Sequence, residues 1–569
     1  MNWKTLFVVL LALVLAFSVL LRIATRTPAP PAHQVFINGT VLTMDAQNSI
    51  AQALSTRDDV IESVGTTDEI MALVGGDTQV VDLRGRTLLP GFIDAHGHFP
   101  GSGMAVVSAD LNSPPIGSIT DMAGVMAAVA KEAERRDPGE WVSGFGYDDT
   151  LLAENRHPTR TELDAISTEH PIAIMHISGH MLVANSAALA LAGIDATTPN
   201  PPGGVIGRRP DSSEPNGLLE ETARMAMAMQ MQDINPVDGY RLFKAAAVEY
   251  LQKGVTTAQS GGTSPKLARA LNIFSRLGVV PQRLVVFPFY SEFGDVFLNG
   301  EYDPQDYNSE RMKMGPVKIV ADGSIQGYTG YLSAPYHTPY HGDADYVGYP
   351  TVDREALFAQ VKGLHEAGYQ LAIHGNGDAS IEDILDAFEA AQQAHPVADP
   401  RMILIHSQMA REDQIARMKD LGVTPSFFTA HTWYWGDRHR DIFMGPERAA
   451  AISPHKWAQD YGVRFTSHLD TPVVPMEPLQ AVWSQVHRIT FGGEVLGPEQ
   501  RIGVMDALRA VTIDAAWQVF EEDNRGSIEP GKLADLVVLS GNPLDNPMAM
   551  RELRVDRTVI GGATVYRRQ

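Results

Sequence analysis

Between about Leu89 and about Thr512 the chain alternates strand-length apolar runs with helix-period patterns, and no other feature constrains its fold as much. The candidate strands are PIAIMHI, GVTTAQ, QRLVVFPF, GPVKIVADG, YQLAIHG, RMILIHS and GVRFTSH. Between two of them Ile381, Ile384, Leu385 and Phe388 fall at i, i+3, i+4 and i+7, and Ser380 with Asp383 reads as a capping start. Near-continuous apolar strands suit a sheet buried on both faces, so the pattern predicts a parallel sheet covered by helices. Some four hundred residues of it favour a (β/α)8 barrel with insertions over a smaller doubly wound sheet.

The two ends have a different texture. QVFINGTVLTM reads as a strand, a tight Asn-Gly turn and a second strand, and VIESVG and QVVDLRGRTLL follow as further short strands. GSIEPGKLADLVVLSG and RTVIGGATVYRR repeat that texture at the far end. The expected organisation is a small β-sandwich built from residues 34–88 and 513–569, with the barrel inserted as residues 89–512.

Residues 1–27 form a leader, followed by a Pro-rich linker over 28–33. The leader carries no charge from Leu6 to Leu21, a run that would extend about 24 Å as a helix, so it reads as an uncleaved anchor or a signal peptide. Lys4 precedes this run while Arg22 and Arg26 follow it, so charge gives no clear orientation. The expected location is bacterial and exported, either anchored in the inner membrane or periplasmic. With 45 Lys and Arg against 68 Asp and Glu, the net charge of −23 repels nucleic acid. The absence of cysteine excludes disulfides, thiolate metal sites and cysteine nucleophiles, so any metal must be held by His, carboxylate or modified Lys.

The polar residues of the middle fall at telling places. His96 and His98 end the first strand in DAHGH, Lys318 lies within GPVKIVADG, His374 ends YQLAIH, His406 ends RMILIH, and Asp470 follows GVRFTSHL. The C-terminal ends of barrel strands converge on one site, and residues i and i+2 of a strand face the same way. His96 and His98 are therefore expected to share one ion, with Gly97 leaving the space between them open. Singly, each signal has a plainer reading: a hydrogen-bonded His374, a Lys318 reaching solvent, an Asp470 capping a helix. Together the six are hard to explain as coincidence. His180 and the TAHTWYWGDRH stretch, with His431, Trp433, Tyr434 and Trp435, either line a substrate pocket or pack beneath a loop, as do Tyr328, Tyr331 and Tyr336. The chain contains no G-x-S-x-G, Walker loop, H-E-x-x-H or dinucleotide fingerprint after a strand.

With these residues in view, the sequence resembles the amidohydrolase superfamily of metal-dependent hydrolases over nearly all of the chain after the leader. LLPGFIDAHGH is similar to its first-strand motif and GSIEPGKLADLVVL to its return into the β domain. VKIVADGS, SGHMLVANSAAL, GLLEETA and SHLDTPVVPMEPL resemble the branch that holds N-substituted formamide deformylase. The resemblance implies one or two divalent metals, Zn2+ by preference, with His96 and His98 on the first, His374 and His406 on the second, and Lys318 bridging them as N6-carboxylysine. Asp470 matches the last-strand aspartate that contacts metal and moves protons. His468 stands where many relatives carry Gly-Ser, and Glu221 offers a second candidate bridge. The chemistry implied is cleavage of a non-peptide carbon–nitrogen bond, an amide or an N-acyl or N-formyl group, by metal-activated hydroxide. Cleavage of a cyclic amide, ester or lactone is the alternative, and a non-catalytic metal-binding scaffold on the same fold is the reading from another class. The expected partners are a small-molecule substrate and, through the leader alone, a membrane, with a homo-oligomer left open.

Overall fold

The computed structural model describes residues 3, 5–7, 28–230 and 235–569. Most of the leader lies outside the described residues. Among the described residues no helix is long and apolar enough to cross a membrane.

Nine short parallel strands organise the middle: β1 (Phe92–Ile93), β2 (Val255–Thr263), β3 (Arg283–Pro288), β4 (Met312–Met314), β5 (Val317–Val320), β6 (Leu371–Gly375), β7 (Met402–His406), β8 (Val423–Phe427) and β9 (Thr466–Ser467). They form one sheet in the order β4-β3-β2-β1 and a second running β5 to β9 in sequence order. Every pairing in both sheets is parallel. A parallel bridge from Phe289 to Lys318 joins the sheets at one side. At the other side the His98 N–H donates to the Thr471 carbonyl at 2.7 Å, and the N–H groups of Ile93 and Ser467 donate to Val511 and Ala510. All residues of β6, β7 and β8 are buried, as a sheet covered on both faces demands. The helix Asp378–Ala394 buries Ile381, Ile384, Leu385 and Phe388 on the face their spacing predicts, but it begins two residues before Ser380, with Gly377 as its N-cap.

PIAIMHI is a strand, yet not one of this parallel set. Residues 172–176 belong to a six-stranded mixed sheet, spanning residues 109–221, inserted between β1 and β2. This sheet has its own cores, one around Leu111, Val129 and Ile174 and another around Leu182, Leu189 and Leu219.

The chain ends do meet. Leu536–Leu539 pairs antiparallel with Thr87–Pro90 in a six-stranded sheet, and Phe36, Leu54 and Ile61 of a neighbouring four-stranded sheet share an apolar core with Leu88, Leu536 and Val559. The Asn-Gly turn does not make a hairpin. His33–Ile37 pairs in the four-stranded sheet and Thr40–Leu42 in the six-stranded one, so the turn passes the chain from one sheet to the other.

A buried ion pair ties the parallel strands to this β layer. Arg283 at the start of β3 donates from Nε to Asp535 Oδ2 at 2.7 Å and from Nη2 to Oδ1 at 3.2 Å, and the Gly561 N–H also reaches Oδ1. Burial alone would raise the Asp535 pKa, but Arg283 and its neighbours hold it below the usual carboxylate value. Asp535→Asn strands the guanidinium and is expected to cost about 3–5 kcal/mol. A depressed folded-state pKa stabilises fully above the unfolded value and ceases to as pH falls through the folded one. Denaturant unfolding of both proteins should therefore show the wild-type advantage shrinking below about pH 4.

Candidate active site

The DAHGH segment lies just beyond β1 rather than within it. Its path is fixed by neighbours: the Gly97 N–H donates to Gln259 Oε1 at 2.7 Å, and the Tyr250 hydroxyl donates to Asp94 Oδ2 at 3.2 Å. A Cβ at residue 97 would stand 2.5 Å from Asp94 Oδ2, so glycine is required by the folded-back Asp94 as much as by the space between the imidazoles. Burial pushes the Asp94 carboxyl up to about 7.

Both imidazoles turn toward the residue after β9. Asp470 Oδ1 lies 3.2 Å from His98 Nε2 and 3.5 Å from His96 Nε2. These three ligand atoms all lie within 4.8 Å of one another, and Asp470 Oδ1 is buried with no hydrogen-bond partner. Two imidazole nitrogens and a buried carboxylate oxygen converging on one point make a donor set that fits a divalent cation. His98 Nδ1 is held by the Gly261 carbonyl at 2.7 Å, which leaves Nε2 as the ligating atom.

Lys318, His374 and His406 stand beside this group. Lys318 Nζ is 3.3 Å from His96 Nε2, and the ring of His406 is 5.6 Å from that of His96 and 4.5 Å from that of His374. Burial lowers the Lys318 amine to about 7, opposed by Asp470. Burial, aided by the neighbouring cations, keeps His96, His374 and His406 well below the ordinary imidazole value, so all three are neutral and able to ligate. For Asp470 burial acts upward, but His98, His406 and His96 outweigh it and hold the carboxyl well below its usual range.

Sequence reasoning missed most of the supporting groups. Asp322, two residues after β5, accepts at Oδ1 from His374 Nδ1 at 3.1 Å, and its oxygens take the N–H groups of Tyr331, Asn376 and Gly377. His374 Nε2 then keeps a lone pair, as a metal ligand must. His468 lies 3.1 Å from His406 Nδ1, with Ser426 Oγ 3.1 Å from its other nitrogen. It therefore orients His406, a role its place beside Asp470 could have suggested. Asp322 was visible in VKIVADG, but nothing in the sequence marks its partner.

Of the expected substrate groups, His180 is brought close, its ring 5.0 Å from His374 and its Nδ1 2.8 Å from Glu221 Oε2. Glu221 thus belongs to the His180 side of the cluster. His431 is buried 4.2 Å from the Phe428 ring, which in turn lies 5.4 Å from His468. Tyr434, in the same short helix as His431, packs on Trp433 and Trp435. Tyr328 packs with Tyr336, Tyr340 and Phe443, a group that reaches His431 through His439.

Four site residues, Glu221, His406, Ser407 and Asp470, have φ between 46° and 72°, a region costly for side-chain-bearing residues. Gly261 supplies a sharper test of the geometry, since a Cβ there would stand 2.4 Å from His96 Cε1. Gly261→Ala is expected to displace that imidazole and weaken metal binding by about 10–100-fold without deleting a ligand, as read by competition with a chromogenic chelator.

The amidohydrolase family model matches residues 79–566. N-substituted formamide deformylase of Arthrobacter pascens is 31% identical over 543 residues, covering 94% of this chain and 98% of that protein. Protein LONG AFTER FAR-RED 3 of Arabidopsis thaliana is 29% identical, covering 95% and 93% respectively. Among solved structures, an uncharacterised metal-dependent hydrolase of Pyrococcus horikoshii OT3 superposes with a TM-score of 0.71 at 24% identity, over 90% of this chain and 98% of that one. The chain therefore belongs to the amidohydrolase family, as a hydrolase of carbon–nitrogen bonds other than peptide bonds.

Proposed function

We propose that the chain hydrolyses an amide, N-acyl or N-formyl bond of a small molecule at a cation held by His96, His98 and Asp470. The observation that carries this reading is the buried, partnerless Asp470 Oδ1 facing two imidazole nitrogens. His374 and His406 would hold a second ion, and Lys318, as N6-carboxylysine, would supply a further oxygen ligand beside them. In support, the Lys318 amine is buried, lowered to about 7 and 3.3 Å from His96 Nε2, which makes the unprotonated form that reacts with carbon dioxide accessible. The scaffold is a closed (β/α)8 barrel in which β4 and β5 are one bent strand, beside a β-sandwich split between the chain ends. The Phe289–Lys318 bridge and the His98–Thr471 hydrogen bond support that closure.

A bound divalent ion, Zn2+ by its preference for imidazole and carboxylate, supplies Lewis acidity toward the scissile carbonyl and lowers the pKa of water to ~7. The protein's part is proton movement and orientation. Asp470, ionised and buried, takes the proton of the attacking water and returns it to the departing nitrogen, which cannot leave as an anion. His180, its Nδ1 engaged by Glu221, presents Nε2 beside His374 as a substrate contact. His431, lowered to about 3 by burial, stays neutral as an apolar wall with one hydrogen-bonding edge.

Asp470→Asn should reduce kcat on a panel of formamides and N-acyl amines by about 10²–10⁴-fold, and excess divalent metal should not restore it. Restoration by metal would limit Asp470 to ligation, and turnover of lactones alone would move the assignment to esters. We also propose that the leader exports the protein, as Lys4 and the charge-free run to Leu21 support. A reporter fused after residue 33 is expected to be active outside the cytoplasm.

A further inference from the structure

The inserted mixed sheet carries a buried acidic cluster that hydrolysis leaves unused. Asp148, Asp149 and His176 bring ligand atoms within 4.8 Å of one another. Its chemistry does not suit a cation. Asp148 Oδ1 accepts from the Thr150 N–H and hydroxyl at 3.0 and 2.6 Å, while Oδ2 accepts from Trp435 Nε1 at 3.0 Å and Arg438 Nη1 at 2.8 Å. Both oxygens are thus filled, one of them by a guanidinium. His176 Nδ1 is engaged by the Ser178 N–H at 3.2 Å and hydroxyl at 2.8 Å, and Nε2 lies 3.1 Å from Asp149 Oδ1. The cluster's reach is toward the 431–438 segment.

We infer that Asp148 is a positioning residue through which the inserted sheet fixes the 431–438 segment as a wall of the substrate cavity, and so sets which N-substituents the enzyme accepts. The inference rests on the hydrolase reading above. The line of contact is continuous. The Trp435 ring lies 4.8 Å from His431, His431 lies 4.2 Å from Phe428, and Phe428 lies 5.4 Å from His468 and 6.1 Å from His406. Arg438 and Asp148 are 14% and 3% exposed, so their charges are desolvated and neither can trade its partner for water cheaply. Arg438 Nη1 also donates to Thr150 Oγ1, a second tie to the inserted sheet. Other polar ties of the segment lie outside that sheet and run from Asp437 to Thr490 and Gly492, from His431 to Gln408 and His439, and from the Phe491 N–H to the Trp433 carbonyl. Without Asp148 a buried indole N–H and a guanidinium lose their acceptor and the wall must re-pair elsewhere.

The test uses the full chain labelled with 5-fluorotryptophan, the Trp435 fluorine resonance being assigned by its loss in Trp435→Phe. Asp148→Asn keeps the shape and removes the charge. It is expected to shift or broaden that resonance, leave metal content unchanged, and alter the ratio of kcat/KM between the largest and smallest N-substituted formamides by about ten-fold or more, mainly through KM. An unmoved resonance overturns the tie. A uniform fall across all substrates overturns the specificity role, because a merely structural loss does not discriminate. Should Asp148→Asn fail to fold, Arg438→Met is read in the same way with the same expected outcomes. A wild-type enzyme silent on every amide, with the resonance shift intact, rejects the hydrolase reading while the tie to the 431–438 segment stands.

Discussion

The convergence of Asp470 Oδ1 with the Nε2 atoms of His96 and His98 is the contact on which the rest of the molecule turns. Burying a carboxylate oxygen that has no hydrogen-bond partner is unfavourable, and a cation between it and the two imidazole nitrogens resolves this. The fold invests heavily in holding that arrangement. β2 packs against the DAHGH segment and supplies Gln259 to the Gly97 N–H, the Gly261 carbonyl to His98, and at Gly261 a residue without a side chain where His96 needs the space. The positive φ angles of His406, Ser407 and Asp470 place local strain at the same end of the parallel strands.

Around that centre the supporting hydrogen bonds decide what each imidazole can do. Asp322 fixes one nitrogen of His374 and collects three backbone N–H groups, which explains how a carboxyl pushed up to about 7 by burial is still held in place. His468 and Ser426 do the same for His406. Low-pKa imidazoles and a low-pKa lysine follow from one cause, exclusion of water, and that exclusion also strengthens every electrostatic interaction with a reacting carbonyl. The inserted sheet completes the enclosure, with His180 against His374 on one side and Asp148 holding Trp435 on the other.

Much of this was legible in the sequence. The apolar runs ending in His374 and His406 are strands, their C-terminal ends do gather the polar residues, and the two chain ends do pair across Leu536–Leu539 and Thr87–Pro90. What escaped was decided by tertiary context. A strand-period run cannot declare which sheet it will join, so PIAIMHI reads like the parallel strands, and nothing in the run marks its His176. VTPSF, the β8 strand, carries a proline and reads poorly as a strand although it is wholly buried. The Asn-Gly turn is local, but its two strands are claimed by separate sheets. Tyr434 sits beside two tryptophans in sequence and packs on both in space. Asp322 and Asp148 matter through partners about 50 and nearly 290 residues away, separations no short motif can encode.

Elemental mass spectrometry of the purified chain beside a His96→Ala/His98→Ala variant tests the central claim most directly. At least one equivalent of divalent metal in the wild type, lost in the double variant while the fold persists by circular dichroism, is the expected result. A wild type free of metal after chelator-free purification, or a variant that keeps the full complement, would contradict a metal centre built on this pair.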